Sequence, residues 1–216
     1  MKPKTIQQFA DAIAREITWR KRELSNFNVF VKKTVEPRYL KDALYRSGIP
    51  LLYAHWEGFV KQSCTLYLYY VCMQRIKNKN LSINLQALLF YENLKRQENA
   101  KRPSLYQDAI EFLRVKGDYD SKIPYKNIVD TKSNLNSEVF REIAWLTQMD
   151  YSVFETSEQF IDKILLAKRN NIAHGEECPV DKATYMQAHS KVIELMENVR
   201  TQLENNVQNK VYAVLF

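Results

Sequence analysis

The residues best suited to chemistry lie in one short segment, residues 169–176, which reads Arg-Asn-Asn-Ile-Ala-His-Gly-Glu. This segment, called the motif below, places a permanent cation, two carboxamides and one imidazole within six residues. A guanidinium binds phosphate through a bidentate pair of N–H donors, and an imidazole exchanges protons near neutral pH. The motif therefore contains the groups needed to hold a phosphodiester and to move a proton on it.

The spacing of Arg169 and His174 decides how they can act together. Five residues of an unbroken α-helix rotate a side chain by about 140°, so the pair would not share a face. We expect the helix to end at Asn170–Asn171, with Gly175 supporting a non-helical exit, so that His174 folds back toward Arg169. Arg169 would then bind a phosphate, His174 would act as general acid or base, and Asn170 would orient the imidazole or the phosphate.

A structural interpretation of the same residues stands beside the chemical one. An arginine at a helix end, asparagines that satisfy the last helical carbonyl groups and a buried histidine would produce the same string. The protein would then be a plain helical interaction protein, and His174 would lie buried away from any cleft.

Only 4 Gly and 6 Pro occur among 216 residues, so the sequence signals few turns. Long helices are therefore expected to position the motif. Apolar residues at three- and four-residue steps predict an amphipathic helix over residues 5–24, with Thr5 as its N-cap, that can extend to Val31 before Pro37 interrupts it. The string Gly48-Ile49-Pro50 predicts a break. The almost wholly apolar residues 51–76 then predict a buried central helix.

The second half of the chain predicts three more helices. Ser137 is expected to cap one that extends through Met149, and a further helix runs from about Ser157 into the motif. The string Cys178-Pro179 followed by Asp181 predicts the start of a last helix, whose apolar positions run from Tyr185 to Leu203.

Residues 77–136 predict an insertion between the core helices. An apolar patch at 85–94, a short helix near 104–114, and turns at Lys116–Asp118 and Ile123-Pro124 are its recognisable features. A small β-hairpin is the alternative structure for this segment.

Composition favours a soluble, cytoplasmic protein with no membrane contact. No apolar run approaches the roughly 20 residues that cross a bilayer, and the N-terminus is not a signal-peptide core. The net charge of +7 favours RNA, DNA or an acidic protein as partner, although a basic, solvated surface explains it as well. Cys64, Cys72 and Cys178 lack metal spacing and are predicted to be reduced thiols, buried in the fold. No metal-ligand set and no Gly-rich phosphate loop is visible, so we predict no metal and no cofactor.

Three strings resemble one known family. Residues 169–175 resemble the Arg-x4–6-His signature of HEPN domains. The string Leu-Leu-Tyr-Ala-His-Trp-Glu-Gly-Phe-Val-Lys at 51–61 resembles the second-helix signature of the MAE-like HEPN nucleases, and Asn-Leu-Asn-Ser-Glu at 134–138 resembles the same group. The resemblance implies an all-α HEPN-type bundle of four to five core helices, forming a single domain over residues 1–216 with the insertion at 77–136.

The resemblance also implies an activity. Many HEPN domains are metal-independent endoribonucleases that dimerise, so that two motifs meet in one composite cleft. Arg169, Asn170 and His174 take the catalytic positions, and Glu57 matches an acidic residue that lies near the motif in related groups. Glu57 could instead form an internal salt bridge. Asn171 and His55 are further candidates for supporting roles, and a core or interface position is the alternative for His55.

Resemblance further implies the expected substrate, partners and setting. RNA would be cut by attack of its own 2′-OH, and the expected partners are RNA, a second copy of the chain, and an antitoxin or a defence-system protein. Glu176 stands where HEPN toxins silenced by nucleotidylation carry a tyrosine, which argues against that form of silencing. The alternative is a non-catalytic HEPN module that binds RNA or a nucleotide, or that scaffolds a partner.

Overall fold

The computed structural model describes residues 2–34, 37–95 and 115–214, together with Gln107 and Glu111. Over these residues the fold is all-α, as predicted, with two isolated β-bridges and no strand. The helices are α1 (Ile6–Lys33), α2 (Arg38–Met73), α3 (Ile83–Lys95), α4 (Ser137–Thr147), α5 (Ser152–Glu155), α6 (Ala167–Ala173) and α7 (Lys182–Gln208). A π-helical turn (Phe160–Leu166) leads directly into α6, and 3-10 turns form at Asn78–Asn80 and Lys116–Asp118.

The long helices α1, α2 and α7 pack against one another and form the framework of the molecule. α2 is the central element, since it also contacts α4, the π-helical turn and α6. Most of its side chains between residues 51 and 71 are buried or partly buried, as the apolar sequence predicted, and Trp56 packs edge-on against Phe140 of α4 at 5.0 Å. The motif-bearing α6 is thereby held directly against the most buried helix.

The predicted amphipathic helix is confirmed as α1, although Ile6 and Phe30 near its two ends are 38% and 57% exposed. Thr5 caps the helix by accepting a hydrogen bond from the Gln8 N–H at 3.2 Å. The helix continues past residue 24 to Lys33, and Val31 is buried in its last turn. Two effects favour this helix: its apolar residues are buried on one side, and its first backbone N–H groups have a hydrogen-bond partner in Thr5.

The predicted break at Gly48-Ile49-Pro50 is wrong, because α2 is continuous from Arg38 to Met73 with Pro50 inside it. Proline removes one helical hydrogen bond, here to the carbonyl of Arg46, and costs about 3 kcal/mol. Packing outweighs that cost: Ile49 is fully buried, and Gly48 leaves room for the ring of Tyr185 of α7 to approach the helix backbone.

The start of α4 lies one position earlier than the sequence predicted. Asn136, not Ser137, is the N-cap, and its Oδ1 accepts a hydrogen bond from the Val139 N–H at 2.8 Å. Ser137 instead donates its backbone N–H and its hydroxyl to the Asp162 carboxylate, at 2.7 and 2.6 Å. These bonds tie α4 to the π-helical turn. For α7 the predicted start is confirmed: Asp181 is the N-cap, and its side chain accepts from the Thr184 N–H.

The predicted insertion is helical in its first described part, around α3, and mostly irregular over residues 119–136. The apolar patch at 85–94 lies in α3, and the 3-10 turn at Lys116–Asp118 matches one predicted turn. The other turn falls at Lys126–Asn127 and not at Ile123-Pro124, since Asn127 takes the positive φ of 58° there. Of the predicted β-hairpin, a single bridge from Lys77 to Asp120 is found. The helix predicted near 104–114 lies outside the described residues, apart from Gln107 and Glu111.

The three cysteines are free thiols, as predicted. Cys64 and Cys178 are buried and Cys72 is partly buried. Burial raises the pKa of the Cys64 thiol to about 12, which keeps it protonated and unreactive. Over the described residues, no helix combines the length and the apolar character needed to cross a membrane.

Candidate active site

The motif follows a widened stretch of helix. The π-helical turn Phe160–Leu166 buries Ile161 and Leu165 against the core and then passes into α6. Asp162 in this turn accepts both hydrogen bonds from Ser137, so the turn is fixed to the start of α4. Single π-helical turns are rare and often accompany functional sites. Here the turn sets the direction from which Arg169 approaches α2.

Arg169 points inward onto α2, where four groups surround its guanidinium. Its Cζ lies 4.3 Å from the centre of the Tyr53 ring, and one carboxylate oxygen of Glu57 lies 4.0 Å from Nη2. Nη1 donates to Asn170 Oδ1 at 2.6 Å, and Nη2 donates to the carbonyl of Ser133 at 3.0 Å. The side chain is still 25% exposed. Arg169 is thus anchored, and part of its guanidinium still faces solvent.

The Ser133 carbonyl belongs to a strained turn. Lys132 and Ser133 have positive φ values of 52° and 58°, and the Asn134 N–H donates to the Thr131 carbonyl at 2.9 Å. Two consecutive residues in the left-handed backbone conformation, bridged by this hydrogen bond, form a type I′ turn. Glycine or asparagine normally occupies these two positions. Such a conformation in other residues costs about 1–2 kcal/mol each, so surrounding contacts must hold it.

Those contacts come from the motif and from α2. Arg169 binds the Ser133 carbonyl, and the Asp130 carboxylate accepts from the Lys132 N–H at 2.8 Å. On the far side of the turn, the Leu135 N–H donates to the Tyr53 hydroxyl at 2.7 Å, in a buried position. Backbone strain that its neighbours hold in place is a property of functional sites. The segment 131–135 therefore forms one wall of the candidate site.

Tyr53 is the platform beneath that wall. Burial raises the pKa of its phenol to about 12, and the nearby Glu57 carboxylate acts in the same direction, while the Leu135 hydrogen bond and Arg169 oppose it. The phenol is therefore neutral near pH 7. Its oxygen accepts from Leu135, its ring lies under the Arg169 guanidinium, and the Glu57 carboxylate is close enough to raise the pKa of the phenol. One residue thus connects the strained turn, the acidic residue and the guanidinium.

Glu57 lies where an acidic residue near the motif was expected. Its side chain is 18% exposed, and its nearest cationic neighbour is Arg169. A partly buried carboxylate is stabilised by such a partner, which fits the internal salt bridge that the sequence allowed. The same position next to Arg169 also fits a role beside a bound phosphate.

His174 does not fold back onto Arg169. The helix does not end at Asn170–Asn171 as predicted: it continues to Ala173, and the His174 N–H still donates to the Asn170 carbonyl at 2.9 Å. Gly175, with φ of 78°, then reverses the chain. The backbone keeps its regular helical hydrogen bonds through this stretch and does not fray. Because five helical positions separate the two side chains, Arg169 points inward and His174 points outward.

The reversal after His174 is a Schellman motif. The Gly175 N–H donates to the Ile172 carbonyl at 3.1 Å, and the Glu176 N–H donates to the Asn171 carbonyl at 2.9 Å. The Glu176 carbonyl in turn accepts from Arg46 of α2 at 2.8 Å. The backbone around His174 is therefore well fixed.

The His174 side chain is exposed, against the buried position that the structural alternative predicted. Within the described residues, its imidazole makes no hydrogen bond and no ion pair. Asn170 orients Arg169 and not the imidazole, and the Asn171 side chain is exposed. A rigid backbone thus presents a free imidazole to the surroundings.

A comparison with protein-family models places this geometry in context. The model of the MAE-like HEPN family matches residues 9–212 of the chain. The chain belongs to the MAE-like HEPN family. A HEPN domain is a nucleotide-binding or RNase-like module, and the match confirms the resemblance seen in the three sequence strings. Comparisons with curated proteins and with solved structures found no match.

His55 is not part of the site in this HEPN domain. Its Nε2 lies 3.2 Å from Glu23 of α1, and its ring packs edge-on against Trp19 at 5.3 Å. Burial lowers the pKa of the imidazole although Glu23 acts to raise it, since the ring is almost fully buried and Glu23 is half exposed. His55 and Glu57 are two residues apart on α2 and so face opposite sides. His189 of α7 is partly buried, with its pKa lowered by burial as well.

The sequence interpretation missed two residues of the HEPN site as participants. Tyr53 precedes Glu57 by four residues and so shares its face of α2, a spacing that could have identified it. Ser133 acts through its backbone carbonyl, for which its side-chain type carries no signal. Within the described residues, no group of three or more His, Cys, Asp or Glu side chains is placed to hold a metal ion.

Proposed function

We propose that this HEPN protein is an endoribonuclease that cleaves RNA in a composite site between two copies of the chain, without a catalytic metal ion. The observation that carries the proposal is the exposed imidazole of His174, without a partner among the described residues, on a rigid helix end five positions after an anchored arginine. A histidine in this state keeps both ring nitrogens available for proton transfer.

The proposed reaction uses the RNA as its own nucleophile. The 2′-oxygen attacks the adjacent phosphorus while an imidazole takes the 2′-OH proton. A pentacoordinate phosphorane forms, the bond from phosphorus to the 5′-oxygen breaks, and that oxygen receives a proton from an imidazolium. The products are a 2′,3′-cyclic phosphate and a 5′-OH.

Arg169 is proposed to stabilise the charge of the phosphorane. Hydrogen bonds to Asn170 and Ser133 engage two of the five N–H groups that a guanidinium carries. The side chain is 25% exposed, so it can still bind a phosphate from solvent. Because the guanidinium is already held in place, less conformational entropy is lost when the phosphate binds. In this proposal Glu57 and Tyr53 hold the guanidinium in place, and Asn170 orients it.

A dimer supplies what one chain lacks. The reaction profits from one base and one acid, whereas a single motif contributes one imidazole. A two-fold axis beside the motif brings a second His174 into the cleft with no further residue. Tyr39 and Leu40, exposed at the start of α2, offer apolar surface for such an interface. This end of α2 adjoins the segment after the motif, since Arg46 binds the Glu176 carbonyl.

The proposed setting is that of a toxin or an antiphage effector inside the cell, with RNA as substrate and an antitoxin or defence-system protein as further partner. This part of the proposal comes from analogy with other HEPN proteins and not from the site itself.

A second candidate function is a non-catalytic HEPN module that binds RNA or a nucleotide, or scaffolds a partner. The observation in its favour is that Arg169 is already bonded to Asn170 and Ser133 and stacked on Tyr53. A guanidinium engaged in this way stabilises the fold whether or not a substrate is present.

One experiment separates the two functions. Wild type, His174→Ala and His189→Gln are incubated with single-stranded RNA, with and without EDTA, and the fragment ends are identified by mass. We expect wild type and His189→Gln to give 2′,3′-cyclic phosphate ends in either buffer, and His174→Ala to give no cleavage while melting at the same temperature. Normal cleavage by His174→Ala refutes the mechanism, and cleavage lost in EDTA refutes metal independence. RNA bound by wild type without cleavage supports the non-catalytic module.

A further inference from the structure

A cleft of about 910 Å³ lies between α1, α2 and the loop 126–130. Its basic side chains are Arg20 of α1, Lys61 of α2 and Lys126 of the loop, and its acidic ones are Glu16 and Asp130. Cations therefore outnumber carboxylates around the cleft. Lys61 and Lys126 are exposed and have no ion-pair partner in the described part of the chain.

Arg20 is the buried charge of this cleft. The residue is 8% exposed, its Nη2 lies 3.4 Å from a Glu16 carboxylate oxygen, and its Nε has no hydrogen-bond partner among the described residues. Burial lowers the pKa of the guanidinium, while the carboxylates of Glu16 and Glu23 act against that effect. A cation that has lost this much hydration and is incompletely paired gains more from an arriving anion than a solvated lysine does.

Gly58 explains how the guanidinium reaches the cleft. A Cβ atom added at Gly58 would lie 2.8 Å from Arg20 Nη1, which is closer than real contacts allow. Glycine within a helix costs about 0.5–1 kcal/mol relative to alanine, so a glycine in the middle of α2 needs a compensating reason. The missing side chain leaves the space between α1 and α2 that the guanidinium occupies.

The cleft adjoins the motif. Lys61 follows Glu57 on the same face of α2, about 6 Å further along the helix axis. The loop 126–130 runs directly into the strained turn whose Ser133 carbonyl binds Arg169. Trp19, 41% exposed, also lines the cleft, and its ring lies beneath the Arg20 guanidinium, 4.4 Å from Arg20 Cζ. A single-stranded nucleic acid bound across the motif would therefore reach the basic side chains of the cleft.

We propose that this cleft is a phosphate subsite, in which Arg20, Lys61 and Lys126 bind a backbone phosphate of an RNA strand that also occupies the motif. The inference rests on the proposed function for the identity of the strand. It is independent of catalysis, because the subsite would bind phosphate in a chain that cannot cleave.

The test measures binding of a fluorescein-labelled single-stranded RNA by anisotropy, in a His174→Ala background, over a range of salt concentrations. Each phosphate contact contributes about 0.7 to the slope of log affinity against log salt for a single strand. Lys61→Gln and Lys126→Gln should each lower the slope by about 0.7. Gly58→Ala should weaken binding by displacing the Arg20 guanidinium, while the unfolding free energy stays equal or rises. Arg22→Gln is the matched control, since Arg22 is an exposed arginine of α1 outside the cleft.

Two results overturn the subsite and leave the proposed function standing. One is an unchanged slope in the cleft variants when the wild type itself binds and cuts RNA. The other is a loss for Arg22→Gln equal to that of the cleft variants, which would show diffuse attraction.

If the wild type neither binds nor cuts RNA, the proposed function fails and the subsite needs a separate test. The probe is then inorganic phosphate, and the readout is the indole N–H signal of Trp19 in ¹⁵N-labelled protein. A shift in wild type that Gly58→Ala abolishes supports a site for free phosphate. The absence of a shift overturns it.

Discussion

Replacing Tyr53 by phenylalanine tests the arrangement that holds the motif. The substitution keeps the ring beneath Arg169 but removes the oxygen that accepts the Leu135 N–H at 2.7 Å. Leu135 is fully buried, so its N–H finds no water in place of the lost partner. A buried donor left unsatisfied costs about 1–3 kcal/mol. We expect a loss of unfolding free energy of that size, and RNA cleavage reduced because the strained turn loses one of its anchors.

The assay is urea unfolding followed by circular dichroism, beside the RNA-cleavage assay. The midpoint should fall while the denaturant slope stays constant, since the surface exposed on unfolding is unchanged. Tyr67→Phe is the matched control. Tyr67 is fully buried on the same helix, and its hydroxyl has no hydrogen-bond partner among the described residues, so its removal should be neutral or stabilising. A Tyr53→Phe protein as stable as Tyr67→Phe, within about 0.5 kcal/mol, would refute the reasoning.

Three further predictions concern the end of α6, the two histidines whose pKa values are lowered, and the dimer. Gly175→Ala should cost about 1 kcal/mol, because φ is 78° and a Cβ there meets no atom within 4 Å, so the loss is one of backbone strain; thermal unfolding measures it, and Gly175→Asn should recover part of the loss. His55 and His189 have lowered pKa values in the folded chain, so the unfolded chain binds more protons as pH falls below about 7. Stability should therefore decrease between about pH 7.5 and about pH 5.5, as read from urea midpoints, and a flat profile would contradict the assigned burial. Excess His174→Ala chains mixed with wild type should depress RNA cleavage more than dilution does; a cleaving monomer, identified by its mass in solution, would exclude the composite site.

Elements with a regular pattern were predictable from sequence. The stripes of α1 and α7 are one-sided, and the caps Thr5 and Asp181 are short polar residues whose side chains reach the first backbone N–H groups. Local chemistry and tertiary packing agree in both helices. The resemblance also placed Glu57 near Arg169, which the 4.0 Å contact confirms.

Other features depend on contacts that are distant in sequence. Pro50 locally predicts a break, yet the helix survives because packing over the whole of α2 outweighs the cost of one lost bond. The direction of His174 could not be predicted, since it depends on whether α6 ends at Asn171 or continues to Ala173, a difference of a few hydrogen bonds. Ser133 takes part through its backbone, and its position depends on Arg169 and on the fold of the turn around it.

The π-helical turn Phe160–Leu166 has a consequence for comparing chains of this kind. Each residue of a regular α-helix turns the next side chain by about 100°, so a shift of one residue would swing Arg169 away from Tyr53. A π-helical turn absorbs one extra residue and leaves the helix after it in phase. A chain one residue shorter between 160 and 166 would close into ordinary α-helix with its arginine still over the ring. When two chains of this family are aligned, a one-residue gap between positions 160 and 166 therefore reflects the π-helical turn. It does not indicate that the arginine of the motif has moved away from the ring.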